Sequence, residues 1–162
     1  MSRPLAAALL MLGLAASTDC VAQAGSVAPP ADASTDSTRQ ANVVEAARLV
    51  NEHRARVRCR PLAWDAAAVR AAQAHSDDMA RRDYFDDVSP EGHDVRDRLR
   101  AAGAHPLLAG ENLASGPLEA SEVVRAWLDS PAQRALIETC GYTHQGVGYR
   151  DEVWTLVLFV PR

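Results

Sequence analysis

The run from Val153 to Val160 constrains the fold of this chain more than any other stretch. A β-strand sends successive side chains to opposite faces. Here Val153, Thr155, Val157 and Phe159 point one way, Trp154, Leu156 and Leu158 the other, and both sets are largely apolar. A strand open to water on one side alternates apolar with polar, so one that is apolar on both sides must be covered on both. Gln145 to Arg150 is a second extended run, and Asp151-Glu152 between the two predicts a hairpin. The remainder of the chain has to supply two covering layers.

Those layers read as helices. From Ala41 to Val57, Val43, Ala47, Val50 and Val57 fall on one helical face and Arg48, Glu52 and Arg56 on another. His53 lies near the buried edge and is expected to be a structural histidine. Asp65 suits the N-cap of the next helix, with Trp64 placed to staple onto Val69. That helix runs to Arg82 and should bury Val69, Ala72 and Met79. His75 shares the inward face, as a core residue or part of a cleft wall. A short helix is expected from about Asp94 to Ala102, closed by Gly103, and another from Leu118 to Asp129 with Val123, Val124 and Trp127 inward. Ser130-Pro131-Ala132-Gln133 opens the last helix, with Ser130 capping, Pro131 at N1 and Gln133 reaching back in a capping box. Helices first and an antiparallel pair last predict an α+β domain, with helices on both sides of a small sheet.

The N-terminus is different. Ser2-Arg3, the apolar run from Leu5 to Ala16 and the small-x-small site Ala22-Gln23-Ala24 read as a secretory signal peptide over residues 1–24. Cys20 would be a lipidation site in a lipoprotein, but Asp19 before it suits that processing poorly, and cleavage after Ala24 is expected. Residues 25–40, rich in Ala, Ser, Thr, Asp and Pro without apolar period, predict a disordered linker. The domain proper then spans 41–162. No other stretch is apolar enough to span a bilayer, so the chain is expected to be secreted or periplasmic, not an integral membrane protein, and monomeric.

Cleavage would leave two cysteines, Cys59 and Cys140, and an even pair in an exported protein predicts a disulfide rather than two separate buried thiols. In the chain-entropy view so long a loop contributes about 4 kcal/mol. A net charge of −4, unchanged by the cleavage, and the lack of a dense basic patch argue against nucleic acid as a partner. Every one of the 17 basic residues is arginine, which excludes Schiff-base chemistry and a Ser–Lys dyad.

The chemistry is expected around Gly110-Glu111-Asn112-Leu113-Ala114. Glu111 lies between two turn-forming glycines, Gly110 and Gly116, where a backbone can expose a carboxylate. Asp86 and Asp87 sit in the loop Tyr84 to Pro90, as a solvated turn or as part of a site.

Several segments fall in the order and spacing of one family. They are Asn51-Glu52-His53-Arg54, Pro61-Leu62-Ala63-Trp64-Asp65, Ala74-His75-Ser76-Asp77-Asp78-Met79-Ala80, Tyr84-Phe85, Ser89-Pro90-Glu91-Gly92, Arg98-Leu99, the Glu111 segment, Trp127 with Ser130-Pro131, Arg134, Gly146-Val147-Gly148-Tyr149 and Trp154-Thr155. In these the chain resembles the CAP superfamily (cysteine-rich secretory proteins, antigen 5 and pathogenesis-related proteins), in its bacterial secreted branch. The resemblance implies an α-β-α sandwich around a small central antiparallel sheet, with a cleft on one side. In many relatives that cleft carries two histidines and acidic residues and can hold a divalent metal. Members have been tied to lipid or sterol binding, to carbohydrate surfaces and to proteolysis.

Carried over by position, the resemblance breaks at the cleft. Where relatives have Phe-Ser-His-x-Ser-Pro this chain has Phe85-Asp86-Asp87-Val88-Ser89-Pro90, so Asp87 replaces one histidine. Where they have Ser-Pro-Gly-His-Arg it has Ser130-Pro131-Ala132-Gln133-Arg134, so Gln133 replaces the other. Glu111 alone is kept. Zinc wants three or four imidazole, thiolate or carboxylate ligands, so zinc binding should be weak, and an oxygen-only cluster would suit a hard divalent ion with few ligands at best. His93, six residues after Asp87, is the candidate to stand in for a lost imidazole. There is no Gly-x-Ser-x-Gly elbow and no His-Glu-x-x-His helix. The sequence therefore predicts a non-catalytic binding module with no cofactor, for an unidentified small molecule, lipid, glycan or peptide. The cleft residues are Glu111, Asp87, Gln133, His93 and His75. The alternative is a hydrolase of peptides or glycans using Glu111 with Asp87, assisted by His93, which requires the two carboxyls about 5–10 Å apart.

Overall fold

The computed structural model describes residues 31–116 and 119–162. Its elements, in order, are α1 (Ala31–Arg56), β1 (Ala63–Trp64), α2 (Ala66–Arg82), α3 (Val95–Ala101), β2 (Pro106–Ser115), α4 (Ala120–Asp129), α5 (Pro131–Glu138), β3 (His144–Arg150) and β4 (Val153–Pro161). The strands form one sheet in the order β1-β3-β4-β2. β4 pairs antiparallel with β3 through the expected hairpin and with β2 on its other side, while β1 adds two residues parallel to β3.

β4 is covered on both faces, as its composition demands. Trp154, Leu156 and Leu158 join a core built with Val43, Val50, Val123, Trp127 and Ile137 from α1, α4 and α5. Val157 and Phe159 join a smaller core with Ala68, Ala71, Ala72 and Leu99 from α2 and α3. Burying a large apolar side chain stabilises by roughly 1.5–3 kcal/mol, and all five of these strand residues are at most 1% exposed, so β4 is the energetic spine.

The second layer sits unusually close. A Cβ on Gly146 would lie 2.2 Å from the Val69 nitrogen, and one on Gly148 would lie 2.4 Å from the Ala72 carbonyl carbon. The alanine stripe of α2 therefore rests on β3 main chain with no side chain between them. Ser76 Oγ then donates to Thr155 Oγ1 at 2.9 Å, satisfying both hydroxyls in a dry interface.

Several expectations are corrected. α1 starts at Ala31, so residues 31–40 of the expected linker are helical. A packed helix propagates at one hydrogen bond per residue and needs no apolar face to do so; Arg39 Nη1 to Asp36 Oδ1 at 3.0 Å adds a local pair. The expected signal peptide, Cys20 and residues 25–30 lie outside the described residues. Val57 is 39% exposed because α1 ends at Arg56 and Arg58 turns left-handed. Asp65 does cap α2, accepting from Ala67 N and Ala68 N, but Trp64 remains 44% exposed and Val69 half-buried.

Cys59 and Cys140 form the disulfide, with Cα atoms 4.9 Å apart. The same two segments are gripped by Arg54, which is fully buried. It donates to the carbonyls of Arg60 (3.0 Å), Ile137 (2.7 Å), Thr139 (3.0 Å) and Tyr142 (3.2 Å). Ile137 and Thr139 lie at the C-terminal end of α5, where the helix dipole favours a cation.

Candidate functional site

Glu111 is not on a turn. It sits within β2, paired with Val157, so its side chain shares the α2–α3 face of the sheet. Gly110 has no left-handed φ; it is needed because a Cβ there would meet Tyr142 Oη at 2.4 Å. The carboxylate is thus driven into the buried layer between the sheet and α2–α3, and its side chain is 3% exposed.

Two side chains meet it. Arg98 of α3 donates from Nη2 to Glu111 Oε2 at 2.6 Å, and His75 Nε2 of α2 lies 3.6 Å from the same oxygen. His75 Nε2 is 3.0 Å from the Asp86 carbonyl. A carbonyl only accepts, so Nε2 carries the proton and this nitrogen is spent on the loop. Burial, with Arg98 alongside, holds the His75 imidazole down at about 4, so it is neutral. Burial pushes the Glu111 carboxyl up to about 8, against the pull of Arg98 and with Asp87 and Asp94 adding to the rise. Glu111 Oε1 has no hydrogen-bond partner in the protein, which sharpens that desolvation.

Arg98 also donates from Nη2 to Asp87 O and from Nη1 to His93 O, both at 2.8 Å. The loop is reached through its main chain. The Asp87 side chain is exposed, and Asp86 Oδ1 accepts from Val88 N at 2.9 Å in an Asx turn. His93 is exposed on the rim of a cleft of about 450 Å³ whose lining includes His75, Asp78, Arg82, Glu91 and Arg98. Arg82 forks onto Glu91 at 2.7 and 2.9 Å, joining α2 to the loop and holding the Glu91 carboxyl down at about 2. Tyr84 Oη donates to Asp78 Oδ2 at 2.8 Å.

Gln133 belongs elsewhere, and the expected capping box at α5 does not form. Its Nε2 donates to Leu113 O at 2.8 Å, while Asn112 Nδ2 donates to Gln133 O at 3.0 Å. The pair bolts α5 to the outer edge of β2, because the edge carbonyl of Leu113 needs a donor more than the α5 N-terminus needs a cap. Ser130 makes no side-chain cap bond, although Pro131 is at the first turn as expected.

The residues do not suit the divalent metal that the resemblance implied. One Glu111 oxygen is taken by a guanidinium, and His75 Nε2 carries a proton. Gln133 donates to main chain, and Asp87 faces solvent. Among the described residues no three His, Cys, Asp or Glu side chains gather in a way that could hold a metal ion. Arg98 is the residue that sequence reasoning passed over as a bare motif member. Its signal was present: Val95, Leu99 and Ala102 form the inward stripe of a short helix, and Arg98 lies on the edge of that stripe.

The chain has relatives. The chain is 36% identical over 124 residues to the uncharacterized protein YkwD of Bacillus subtilis (strain 168), a match that covers 75% of this chain and 47% of YkwD. It is 34% identical over 94 residues to the uncharacterized membrane protein YlbC of the same organism, covering 58% of this chain and 27% of YlbC. The chain therefore spans about half or less of the length of these relatives. Among solved structures, an extracellular protein containing a SCP domain from Bacillus anthracis str. Ames superposes with a TM-score of 0.77 at 28% identity, over 82% of this chain and 45% of that one. An outer surface protein from Borrelia burgdorferi shares the fold at 19% identity, with a TM-score of 0.66 over 72% of this chain and 90% of that one. None of the described helices is long and apolar enough to cross a membrane. The sequence model of the CAP, or cysteine-rich secretory protein, family matches residues 47–152, and with the sandwich, the sheet order and the Glu111 strand in place, the chain belongs to that family.

Proposed function

We propose that this domain is an extracytoplasmic binding module whose cleft holds a polar ligand without turning it over. The observation that carries this reading is the commitment of Glu111. A general acid or base must come within about 3 Å of the proton it moves, or reach it through one water. Glu111 is 3% exposed, lies behind the layer formed by Arg98 and His75, and gives one oxygen to Arg98. What remains open is the cleft of about 450 Å³, where Asp77, Asp78 and Glu91 alternate with Arg81, Arg82 and His93. Such walls set charged donors and acceptors of both signs around the opening, which favours a glycan or a peptide over a lipid tail. The disulfide and the extracellular relative from B. anthracis support a place outside the cytoplasm.

The hydrolase reading has one observation behind it, the Glu111 carboxyl raised to about 8, a property general acids share. Against it, Arg98 stands between Glu111 and the Asp87 segment, and the Asp87 side chain points to solvent. Turnover of peptide, ester and glycan panels by wild type and Glu111→Gln separates the two. The binding reading expects no turnover above background in either protein, and calorimetric binding of a glycan or peptide that is weakened by His93→Ala. Robust turnover that is lost in Glu111→Gln would overturn it.

A further inference from the structure

The acceptors around Arg98 come from the sheet and from two points of the loop between α2 and α3. Glu111 Oε2 belongs to the sheet, Asp87 O to the loop after α2, and His93 O to the residue just before the α3 cap, at 2.6, 2.8 and 2.8 Å. Three oxygens converging on one positive group form a cation site by their chemistry. We propose that the guanidinium of Arg98 is the resident cation of this cleft, filling an oxygen-lined site and thereby fixing the loop from Asp86 to His93 as the cleft rim.

Three features support it. The Glu111 end of the site is dry, with the Arg98 side chain 10% and Glu111 3% exposed, so the hold on that oxygen is little screened by solvent, while the two loop carbonyls close the site at the surface. The cation is tethered and pre-aimed. α3 begins in a capping box between Asp94 and Asp97, and Leu99, the next residue after Arg98, is fully buried. Immobilising the group within its own helix places it at a high effective concentration, so a free ion competes poorly. The planar fork also matches the task, since it serves three oxygens at once where an ammonium would serve as a point charge. An additional divalent ion beside Glu111 would face a fixed positive group at close range. This inference holds whether or not the cleft is catalytic.

The test is chemical rescue. Arg98→Ala should leave a cation-shaped vacancy and raise amide exchange across residues 86–93 by at least about tenfold, while β4 amides stay protected. Millimolar ethylguanidinium should restore the protection, and ethylurea, similar in shape and uncharged, should not. Unchanged exchange in Arg98→Ala, or equal recovery with ethylurea, would overturn the proposal. If Arg98→Ala does not fold, Glu111→Gln at about pH 9, above the range where the native carboxyl titrates, removes the anion and keeps the shape. A loop that exchanges faster there supports the cation site, and one as protected as wild type refutes it.

Discussion

Glu111 and His75 are neighbours that titrate against their ordinary values in opposite directions, and that opposition should be visible in stability. Glu111 is raised from 4.5 to about 8, so between those values the folded state keeps a proton that the unfolded chain has released. Its contribution is complete below pH 4.5 and lost as pH rises through 8. His75 is lowered from 6.5 to about 4, so its contribution is complete above pH 6.5 and lost as pH falls through 4. Each group changes stability by about 1.4 kcal/mol per pH unit within its own window. From 4.5 to 6.5 the two slopes cancel and stability should be level. From 6.5 to 8 only Glu111 contributes, and stability should fall by about 2 kcal/mol. Glu111→Gln removes the titrating group and should abolish the alkaline fall while keeping the acid one. Urea unfolding at intervals of half a pH unit, followed by tryptophan fluorescence from buried Trp127 and Trp154, gives both curves. A wild type equally stable at pH 6.5 and 8, or a Glu111→Gln variant that declines in parallel with it, would refute the reasoning.

Three further outcomes follow from the geometry. Arg54→Leu strands four carbonyls that now accept from one guanidinium and should cost about 3–5 kcal/mol in urea unfolding, with the disulfide still formed by thiol titration. Gln133→His should cost about 1 kcal/mol by losing the bond to Leu113 O. It should not confer sub-micromolar zinc affinity in calorimetry, because Arg98 and the spent His75 nitrogen are unchanged. Gly146→Ala drives a methyl into the Val69 nitrogen and should destabilise by about 3 kcal/mol, the upper end for overpacking, read from the shift of the urea midpoint.

The parts of the fold that were legible in the chain are those set by burial alone. The double apolar face of Val153–Val160 implied a sheet covered on both sides, the cysteine pair implied the bridge, and Asp65 and Asp94 marked helix starts. What stayed hidden depends on partners distant in sequence. Pro106–Ser115 has no β-branched residue and reads as a turn, yet pairing with β4 makes it a strand. Gln133 looked like a helix cap because the sequence shows its neighbours in the chain and not the sheet edge at Leu113. The site was legible at Glu111 and His75, but its organiser was not. An arginine beside a buried leucine in a seven-residue helix reads as surface until the strand beneath it is known to carry a carboxylate.

The contact of α2 on the bare backbone of β3 has a mechanical consequence. With Gly146 and Gly148 against Val69 and Ala72, no side chain is available there to change rotamer and absorb a displacement. The wall of the cleft that carries His75, Asp78 and Arg82 is therefore an anvil, seated main chain to main chain. The opposite wall is α3 and the loop before it, anchored by Leu99 and the grip of Arg98. Any adjustment of the cleft to a bound ligand has to be made by that lighter jaw, closing on a floor that does not yield.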